Sequence, residues 1–494
     1  MDSGSVKKFI RKIISLSPYI ICILFFIAFS TLAVVRHLHY GSFGYDLGIN
    51  DQTVWRYSTF QVPIATIDPL PTKIKLATHV ELVYALISPF YWIWKSPIML
   101  ILVRNAWFCF SGVAVYLLAR KKGLNIFLGT TLVFAYLGFY GVQNAIWFDV
   151  HSASFATAFL MWFIYFLEIK KKLPAIIFFF LAITAKENIA LLTFLTSFVF
   201  FVKQRTRLQI FFMTVSVGYL LFIFYIFFPQ IIHVQYLYIA QNGIIDTLHP
   251  LSIFTNAENR QVYWFSLLSF GFLPLLSPLN LLPAIGDLAT YFVFGTNLPA
   301  AQGLFGHYRI TLTPFLIWSV IISVSRFKKL NKWYIGLYLI ISTMFVQYAL
   351  HLPLSYLSKQ WFWTEPAAVK SITKVITAYL PKTAAVVAQN NIIPHISERD
   401  KIYTLYPEQE VFIKNSPCGQ KACDWFRWFG TPEFLIVDTS PEWDARHLLV
   451  DRDPYIKGLK NLEKAGVIKK DVQVGTTILY FVKQNPENYL SQGK

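Results

Sequence analysis

Apolar residues occur along this chain in runs long enough to cross a lipid bilayer. Windows of about 17–25 mostly apolar residues recur between about residue 13 and about residue 351. Runs such as IIFFFLAI do not alternate between apolar and polar positions, which argues against the strand pattern of a transmembrane β-barrel. The pattern predicts a polytopic α-helical membrane protein.

Basic residues between the apolar runs predict the orientation. Five polar segments contain 4, 3, 3, 3 and 4 Lys or Arg residues, and they lie at positions 7–12, 120–122, 170–172, 203–207 and 326–332. The positive-inside rule places these segments in the cytoplasm. The apolar stretch HVELVYALISPFYWIW is short and broken by Pro89, so we interpret it as a helix lying at the membrane interface. Counting it as a span would reverse every later loop.

This interpretation predicts about eleven spans in a cell membrane, with a cytoplasmic N-terminus and an extracytoplasmic C-terminus. It divides the chain into a cytoplasmic basic stub, a transmembrane domain and a tail, at residues 1–12, 13–364 and 365–494. The transmembrane domain has a long first outer loop at 37–96.

Composition changes the interpretation of the charge. The chain has 494 residues, of which 55% are hydrophobic and 14% charged, and its net charge is +18. In a soluble protein such a charge would indicate nucleic acid binding. Here the Lys and Arg residues cluster between the spans, so we expect contact with membrane lipids and no nucleic acid partner.

The tail differs from the rest of the chain. From about Glu365, the strand-like segments AAVVAQ, KIYTLYP, EFLIVDTS and TTILYFVK alternate with two helix-like segments, which predicts a small α/β domain. The tail contains Cys418 and Cys423 on the predicted oxidising side, where a local disulfide and two free thiols are both consistent with the spacing. Cys22 and Cys109 fall in spans and are expected to be apolar fillers.

Candidate chemistry gathers on the predicted outer face. Ionisable residues at membrane depth are costly and tend to mark function. Each has an ordinary structural explanation when taken alone, but their common position at the outer ends of spans favours a site. The residues are Asp46, Asp51, His79, Asp149, His151, Lys186, Glu187, His307, Tyr308 and Arg309.

The two acids of GYDLGINDQTVW are not an obvious carboxylate pair. Asp46 has the residue type of a helix N-cap. Asp51 lies about 500° further round a helix, so the two side chains point to different faces. Carboxylates and histidines together also suit a divalent metal, although their spacing matches no fixed ligand motif, so a cofactor stays undefined.

Several segments resemble a known family. GYDLGINDQTVW, THVELVYALISPFY, WFDVH, AKEN, FLPLLSPLNLLP and HYRITLTPFL occur in order, followed by QNNIIPHISERDKIYTLYP. Over nearly its whole length the chain resembles the "predicted membrane protein" family known as domain of unknown function 2079. That family commonly has FDLG and KED, whereas this chain has YDLG and KEN, with Asn188 in place of a usual carboxylate.

The resemblance implies a fold and a reaction, because that family looks like part of the GT-C glycosyltransferase superfamily. It implies a GT-C-like membrane glycosyltransferase. The sugar donor would be a polyprenyl-phosphate carrier, and the acceptor an envelope glycan, lipid or protein on the outer face. Asp46 matches the acid of the first outer loop and is the expected base, with Asp51 as a second catalytic candidate.

The other outer residues are expected to bind substrate. Lys186, His307 and Arg309 would neutralise the carrier phosphate as its bond breaks. The acceptor would be oriented, or a metal held, by Asp149 and His151 together with His79. Glu187 and Tyr308 complete the predicted binding set.

Two other functions fit the same sequence. A transporter or flippase of an envelope precursor would use the outer cluster as a vestibule, but it would be expected to show internal repeats and polar sites at the midplane. The sequence shows no clear repeat. A non-catalytic envelope assembly factor would use the tail to bind a partner.

Overall fold

A computed structural model gives the fold. It describes residues 3–68, 73–234, 236, 256–292, 303–407 and 426–484, with side chains from residue 15 onward. The chain forms two compact units. The first, called the membrane unit, comprises Met1–Ala33, Leu76–Leu86 and Ile101–Lys359. The second, called the sheet unit, comprises Val34–Lys75, Ile87–Leu100 and Gln360–Lys494.

The described part of the membrane unit is built from helices and the loops between them. Two of its helices, Ser3–Leu38 and Pro97–Lys121, continue into the sheet unit. The others are Ile126–Gly138, Tyr140–Trp147, Ser152–Glu168, Lys172–Ile183, Ile189–Gln204, Arg207–Phe222, Ala257–Leu268, Leu282–Phe292, Thr313–Arg326 and Lys332–Ala349. Short 3₁₀ or π turns lie at Ile223–Ile231, Leu273–Leu276, Pro278–Leu281, Ile310–Leu312 and Pro353–Ser358.

Three described helical stretches are long and apolar enough to cross a bilayer, namely Ser15–Leu38, Pro97–Lys121 and Arg207–Ile231. A fourth span is formed if Ile126–Gly138 and Tyr140–Trp147 are taken together; they bend by 45° where Phe139 leaves the helical conformation. Further apolar helices are shorter, at 10–17 residues. These features are those of a helical membrane protein, and the count of about eleven spans stays a prediction.

The stretch HVELVYALISPFYWIW does not form a continuous span. It contains the five-residue helix Val83–Ile87 and then the 3₁₀ turn Ser88–Trp92, which includes Pro89. Proline cannot donate the backbone hydrogen bond that an α-helix would require at this point. The break predicted at Pro89 is therefore confirmed, and the placement of these turns at the interface stays a prediction.

Several helix ends of the membrane unit contact one another through polar side chains around Glu168. Glu168 accepts hydrogen bonds from Lys122 Nζ at 2.6 Å and from Trp318 Nε1 at 2.8 Å. Lys203 Nζ lies 3.0 Å from Asn280 Oδ1 and 4.7 Å from the centre of the Trp318 ring. These contacts bring the Pro-rich turn FLPLLSPLNLLP to the same end of the unit as two of the basic corners.

The sheet unit contains a five-stranded mixed sheet with strand order β2-β1-β5-β7-β6. Strands β1, β2 and β5 are parallel, whereas β7 pairs antiparallel with β5 and β6. In chain order the strands are β1 Val386–Ala388, β2 Ile402–Thr404, β3 Tyr406–Pro407, β4 Phe426–Arg427, β5 Phe434–Asp438, β6 Ile468–Val474 and β7 Thr477–Val482. Strands β3 and β4 form a separate two-stranded ladder.

Helices accompany this sheet as the tail sequence predicts. The helices Ala367–Ala378 and Arg452–Lys464 pack against it. Shorter helical segments of the unit are Gly44–Gly48, Ile49–Ser58, Gln360–Trp363, Ile393–His395 and Ala445–Leu448. The predicted α/β character of the tail is confirmed. Cys418 and Cys423 lie outside the described residues, whereas Cys22 and Cys109 are buried free thiols.

Part of the predicted first outer loop belongs to the core of the sheet unit. Ile49, Ala65 and Ile67 are buried in one hydrophobic cluster with the strands. Thr66 Oγ1 donates to the carbonyl of Ile402 at 2.7 Å and accepts from its backbone N–H at 3.0 Å. The segment around Asp46 and Asp51 is therefore fixed by the tail, a packing that the sequence pattern does not predict. The predicted domain boundaries stay predictions.

Candidate functional site

Asp46 lies inside a single π-helical turn, Gly44–Gly48, and is half-buried. The N-cap residue of this turn is Phe43, so the interpretation of Asp46 as a helix N-cap is wrong. A Cβ atom on Gly44 would lie 2.7 Å from Cδ1 of Ile393, and one on Gly48 would lie 2.8 Å from its Cγ2. The two glycines thus let Ile393 pack directly against the turn that carries Asp46.

Asp51 is fully buried in the helix Ile49–Ser58. Its carboxyl group accepts hydrogen bonds from the Tyr91 hydroxyl and, at 2.7 Å, from Ser397 Oγ. Burial, together with the nearby carboxylate of Glu398, raises the pKa of Asp51 to about 8. Both oxygens are therefore occupied by protein donors, as in a structural carboxyl group, and a catalytic role for Asp51 stays a prediction.

A buried polar cluster surrounds Glu187 in the membrane unit. Glu187 lies just before the helix Ile189–Gln204 and binds three donors from other parts of the chain. His79 Nδ1 lies 2.8 Å from its Oε1, the Tyr236 hydroxyl donates to the same oxygen at 2.5 Å, and the Val80 N–H donates to Oε2 at 3.0 Å. These contacts attach the AKEN corner to the THVEL segment.

The electrostatics of this pair favour an ionised glutamate and a neutral histidine. Burial opposes the charge of Glu187, but the hydrogen bonds from His79 and Tyr236 and the charge of Lys186 favour the carboxylate and lower its pKa. Burial and then the neighbouring Lys186 lower the pKa of His79. A neutral His79 ring therefore donates its Nδ1–H to the Glu187 carboxylate.

A second group of contacts joins THVEL to WFDVH and GHYR. Ser152 Oγ donates to Glu81 Oε1 at 2.5 Å. The rings of His151 and His307 are stacked, with centroids 3.6 Å apart and planes at 15°. His307 is buried, and within the described part of the chain its Nδ1 has no hydrogen-bond partner.

Charged groups surround these rings. Lys186 is half-buried, and its ammonium group makes no hydrogen bond or ion pair with any residue that the structure describes, while its charge acts on His79, Glu187 and His307. Burial, followed by the neighbouring His151 and Lys186, lowers the pKa of His307 well below its usual range. The AKEN corner thus contributes one half-buried ammonium group to the cluster.

The GHYR segment contributes further polar groups next to His307. Arg309 is buried; its Nε donates to the carbonyl of Gly303 at 3.1 Å, and its guanidinium lies 4.7 Å from the centre of the Phe292 ring. Asp287 is also buried and accepts from Thr311 Oγ1 at 2.7 Å. The ring of Tyr308 lies 4.2 Å from that of His307.

Asp149 is placed by an arginine inside a span. The guanidinium of Arg104 donates to the backbone carbonyls of Ala145, Ile146 and Asp149 at 3.1–3.2 Å. It thereby satisfies carbonyls at the end of the helix Tyr140–Trp147, which lack intrahelical partners. Asp149 itself is buried.

The structure thus brings most of the predicted binding residues into one cluster. His79, Lys186 and Glu187 are neighbours, and the His307 ring interacts electrostatically with His79, His151 and Lys186. Asp46 and Asp51 belong to the sheet unit and are described there. No group of three His, Cys, Asp or Glu side chains suited to a metal ion occurs among the described residues.

Sequence reasoning missed three members of this region. Glu81 lies in the THVEL segment, of which only His79 was predicted to be a site residue. Asp287 is the single acid of the apolar helix Leu282–Phe292, and Arg104 is a lone charge inside an apolar span. The signal for the last two was present, because an isolated ionisable residue at membrane depth requires a partner.

Comparison with known proteins identifies the family. A search of curated proteins finds no match to the chain. One family model, described as "Predicted membrane protein (DUF2079)", matches residues 36–447, which include the AKEN corner, the WFDVH and GHYR segments and most of the sheet unit. The resemblance expected from the ordered segments is therefore confirmed, and the chain belongs to the DUF2079 family of predicted membrane proteins.

Proposed function

We propose that the polar cluster of the membrane unit binds a polyprenyl-phosphate-linked sugar, and that the protein transfers this sugar to a cell-envelope acceptor. The observation that carries the proposal is the half-buried ammonium of Lys186 beside His307, whose buried Nδ1 has no hydrogen-bond partner within the described residues. A buried polar atom without a partner is unfavourable unless a ligand or water satisfies it.

The mixture of charges in the cluster matches a sugar phosphate. A phosphate group needs cations and N–H donors, which Lys186 and the histidine rings supply. Sugar hydroxyl groups need acceptors, and the cluster includes the carboxylate of Glu81. A ligand that carries both groups uses both kinds of partner.

The location of the cluster supports a lipid-linked donor. His151 and Ser152 begin the apolar helix Ser152–Glu168, and Glu187 precedes the apolar helix Ile189–Gln204. Both helices are about 25 Å long at 1.5 Å per residue, and their other ends carry Glu168 and Lys203. The cluster therefore lies at one end of apolar helices, a position that supports the proposal of a lipid-linked phosphate.

The orientation and the base remain parts of the proposal. We place the cluster on the extracytoplasmic side because the opposite helix ends carry the basic corners. Asp46 is proposed as the base by the family resemblance, and its half-buried position allows it to exchange protons with a ligand or solvent.

The test is carrier release by purified full-length protein. Detergent-solubilised protein is incubated with a panel of polyprenyl-phosphate sugars, and free carrier phosphate is measured. Lys186→Met should raise the KM for the donor because the phosphate loses its cation. Lys171→Met, an exposed lysine at the end of the helix Ser152–Glu168, serves as the matched control and should leave the KM unchanged.

Two outcomes would contradict the proposal. If no donor releases carrier in the presence of membrane extract as acceptor, glycosyl transfer is wrong. If intact donor instead crosses the bilayer of proteoliposomes unchanged, the protein is a flippase.

A further inference from the structure

A cleft lies wholly within the sheet unit, among residues that the proposed reaction does not use. Its volume is about 590 Å³, within the range of roughly 300–1,000 Å³ of small-molecule sites. The segment 360–366 forms one wall, and Glu442, Trp443 and His447 form the other. The cleft is shallow and largely open to solvent.

The wall formed by Glu442, Trp443 and His447 is rigid. Trp443 is buried, and its Nε1 donates to Asp438 Oδ1 at 2.7 Å. Its ring lies 5.0 Å from that of His447, whose Nδ1 is 2.6 Å from Asp444 Oδ1. Side chains held by such contacts lose little conformational entropy when a ligand binds, so this wall is preorganised.

The wall formed by the segment 360–366 presents an aromatic ring and planar polar groups. The indole of Trp361 is 57% exposed although it lines the cleft. Gln360 and Glu365 are exposed beside it. An exposed aromatic face flanked by an amide and a carboxylate can pack on the C–H face of a sugar ring and bind its hydroxyl groups.

The charges of the lining select the class of ligand. Glu442 accepts hydrogen bonds from the backbone N–H groups of Ala367 and Ala368 at 3.1 and 3.3 Å, so it serves mainly to cap the helix Ala367–Ala378. The lining contains no Lys or Arg among the described residues. Burial lowers the pKa of both His39 and His447, which makes them neutral near pH 7. The lining itself therefore offers no cation to a phosphate or other anion.

We propose that this cleft binds a neutral glycan, with Trp361 stacked on one sugar ring and Glu365 and Gln360 bound to its hydroxyl groups. Binding by the sheet unit does not require the transfer reaction. The further suggestion that this glycan belongs to the acceptor class rests on the proposed function.

The chain provides a matched control for the test. Trp363 lies in the same short helix, Gln360–Trp363, and is 53% exposed, but it does not line the cleft. Trp361→Ala should weaken glycan binding about tenfold, which corresponds to the loss of one aromatic contact of about 1.4 kcal/mol. Trp363→Ala should bind as the parent does, and Trp361→Phe should recover part of the affinity.

The measurement uses full-length protein in detergent and four tetrasaccharides, built from α-1,4-glucose, β-1,4-glucose, mannose and N-acetylglucosamine. Binding is followed by saturation-transfer NMR without any donor, so it is independent of the carrier-release assay. Failure of the parent to bind any of the four would overturn the inference. Equal loss in Trp361→Ala and Trp363→Ala would assign both indoles to membrane anchoring instead.

Discussion

Asp51 is the residue whose ionisation should affect stability most visibly. Burial raises its pKa to about 8, whereas an unfolded aspartate titrates near 3.9. Between these values the folded state holds one proton more than the unfolded state. The free energy of unfolding therefore falls as pH rises from about 4 to about 8, by at most about 1.4 kcal/mol per pH unit.

Asp51→Asn should remove most of this slope. Asparagine keeps the size of the side chain and can still accept a hydrogen bond from Tyr91, but it does not ionise. The melting temperature of the variant in detergent should therefore rise relative to that of the parent as pH increases from 5 to 8. Asp400→Asn is the control, because this acid is exposed and forms only a 3.6 Å surface pair with Arg56. Parallel pH profiles for parent and Asp51→Asn would show that Asp51 is ionised in the folded protein.

Asp46 gives a prediction about activity. If it is the base, Asp46→Asn should lower turnover about 10²–10⁴-fold with the melting temperature nearly unchanged. The carrier-release assay measures the turnover, and Asp400→Asn again serves as the control. A fully active Asp46→Asn protein would remove Asp46 from the mechanism. The structure sharpens this test, because Asp46 does not cap its helix and a loss of capping cannot explain a slow variant.

Single residues also show where sequence reasoning ends. The contact between His79 and Glu187 agrees with a predicted topology that puts these two distant residues on the same side. The burial of Asp51 could not be predicted, since it depends on Tyr91 and Ser397, which come from remote parts of the chain. Side-chain partners across such separations leave no local pattern.

At the scale of elements, the turn Gly44–Gly48 tests the packing of the first outer loop. Gly44→Ala would place a methyl group 2.7 Å from Cδ1 and 3.0 Å from Cβ of Ile393. Such overpacking costs about 1–3 kcal/mol, so the melting temperature should fall. Gly218→Ala is the control: nothing lies within 4 Å of its added Cβ, and alanine favours a helix over glycine by up to about 1 kcal/mol. An unchanged melting temperature for Gly44→Ala would mean that this turn is loosely packed in solution.

The elements differ in how well their sequences reveal them. The helices Pro97–Lys121 and Ala367–Ala378 were predictable because periodic or continuous apolar runs define them. Strand β6 was missed, since IKKDVQV is polar and mostly exposed at the edge of the sheet. The bend at Phe139 was also missed, although Gly138 directly precedes it and could have marked it.

At the scale of the whole molecule, the orientation in the membrane decides which helix ends face the cytoplasm. Contacts in the membrane unit place Lys122, Glu168, Lys203 and Asn280 at one end. The proposed site occupies the other ends of the same helices. The predicted orientation therefore fixes the side on which the reaction takes place.

Cysteine labelling in intact cells tests this orientation. All four native cysteines are first replaced by serine, and single cysteines are then introduced at exposed positions, because Asp149 and Glu187 are too buried to react. Cysteines replacing Lys121, Lys171 and Lys329 should react with an impermeant maleimide only after permeabilisation.

The matched outer positions are Phe305, which is 70% exposed, and Lys470 on strand β6, which is also exposed. Cysteines at both should react in intact cells, because the positive-inside rule leaves these segments outside. The reverse pattern at all five positions would invert the protein and move the proposed transfer to the cytoplasmic face. A split result, with position 305 outside and position 470 inside, would instead mean that the number of spans between them is odd. The tail would then be cytoplasmic, and its cleft would have no access to an envelope glycan.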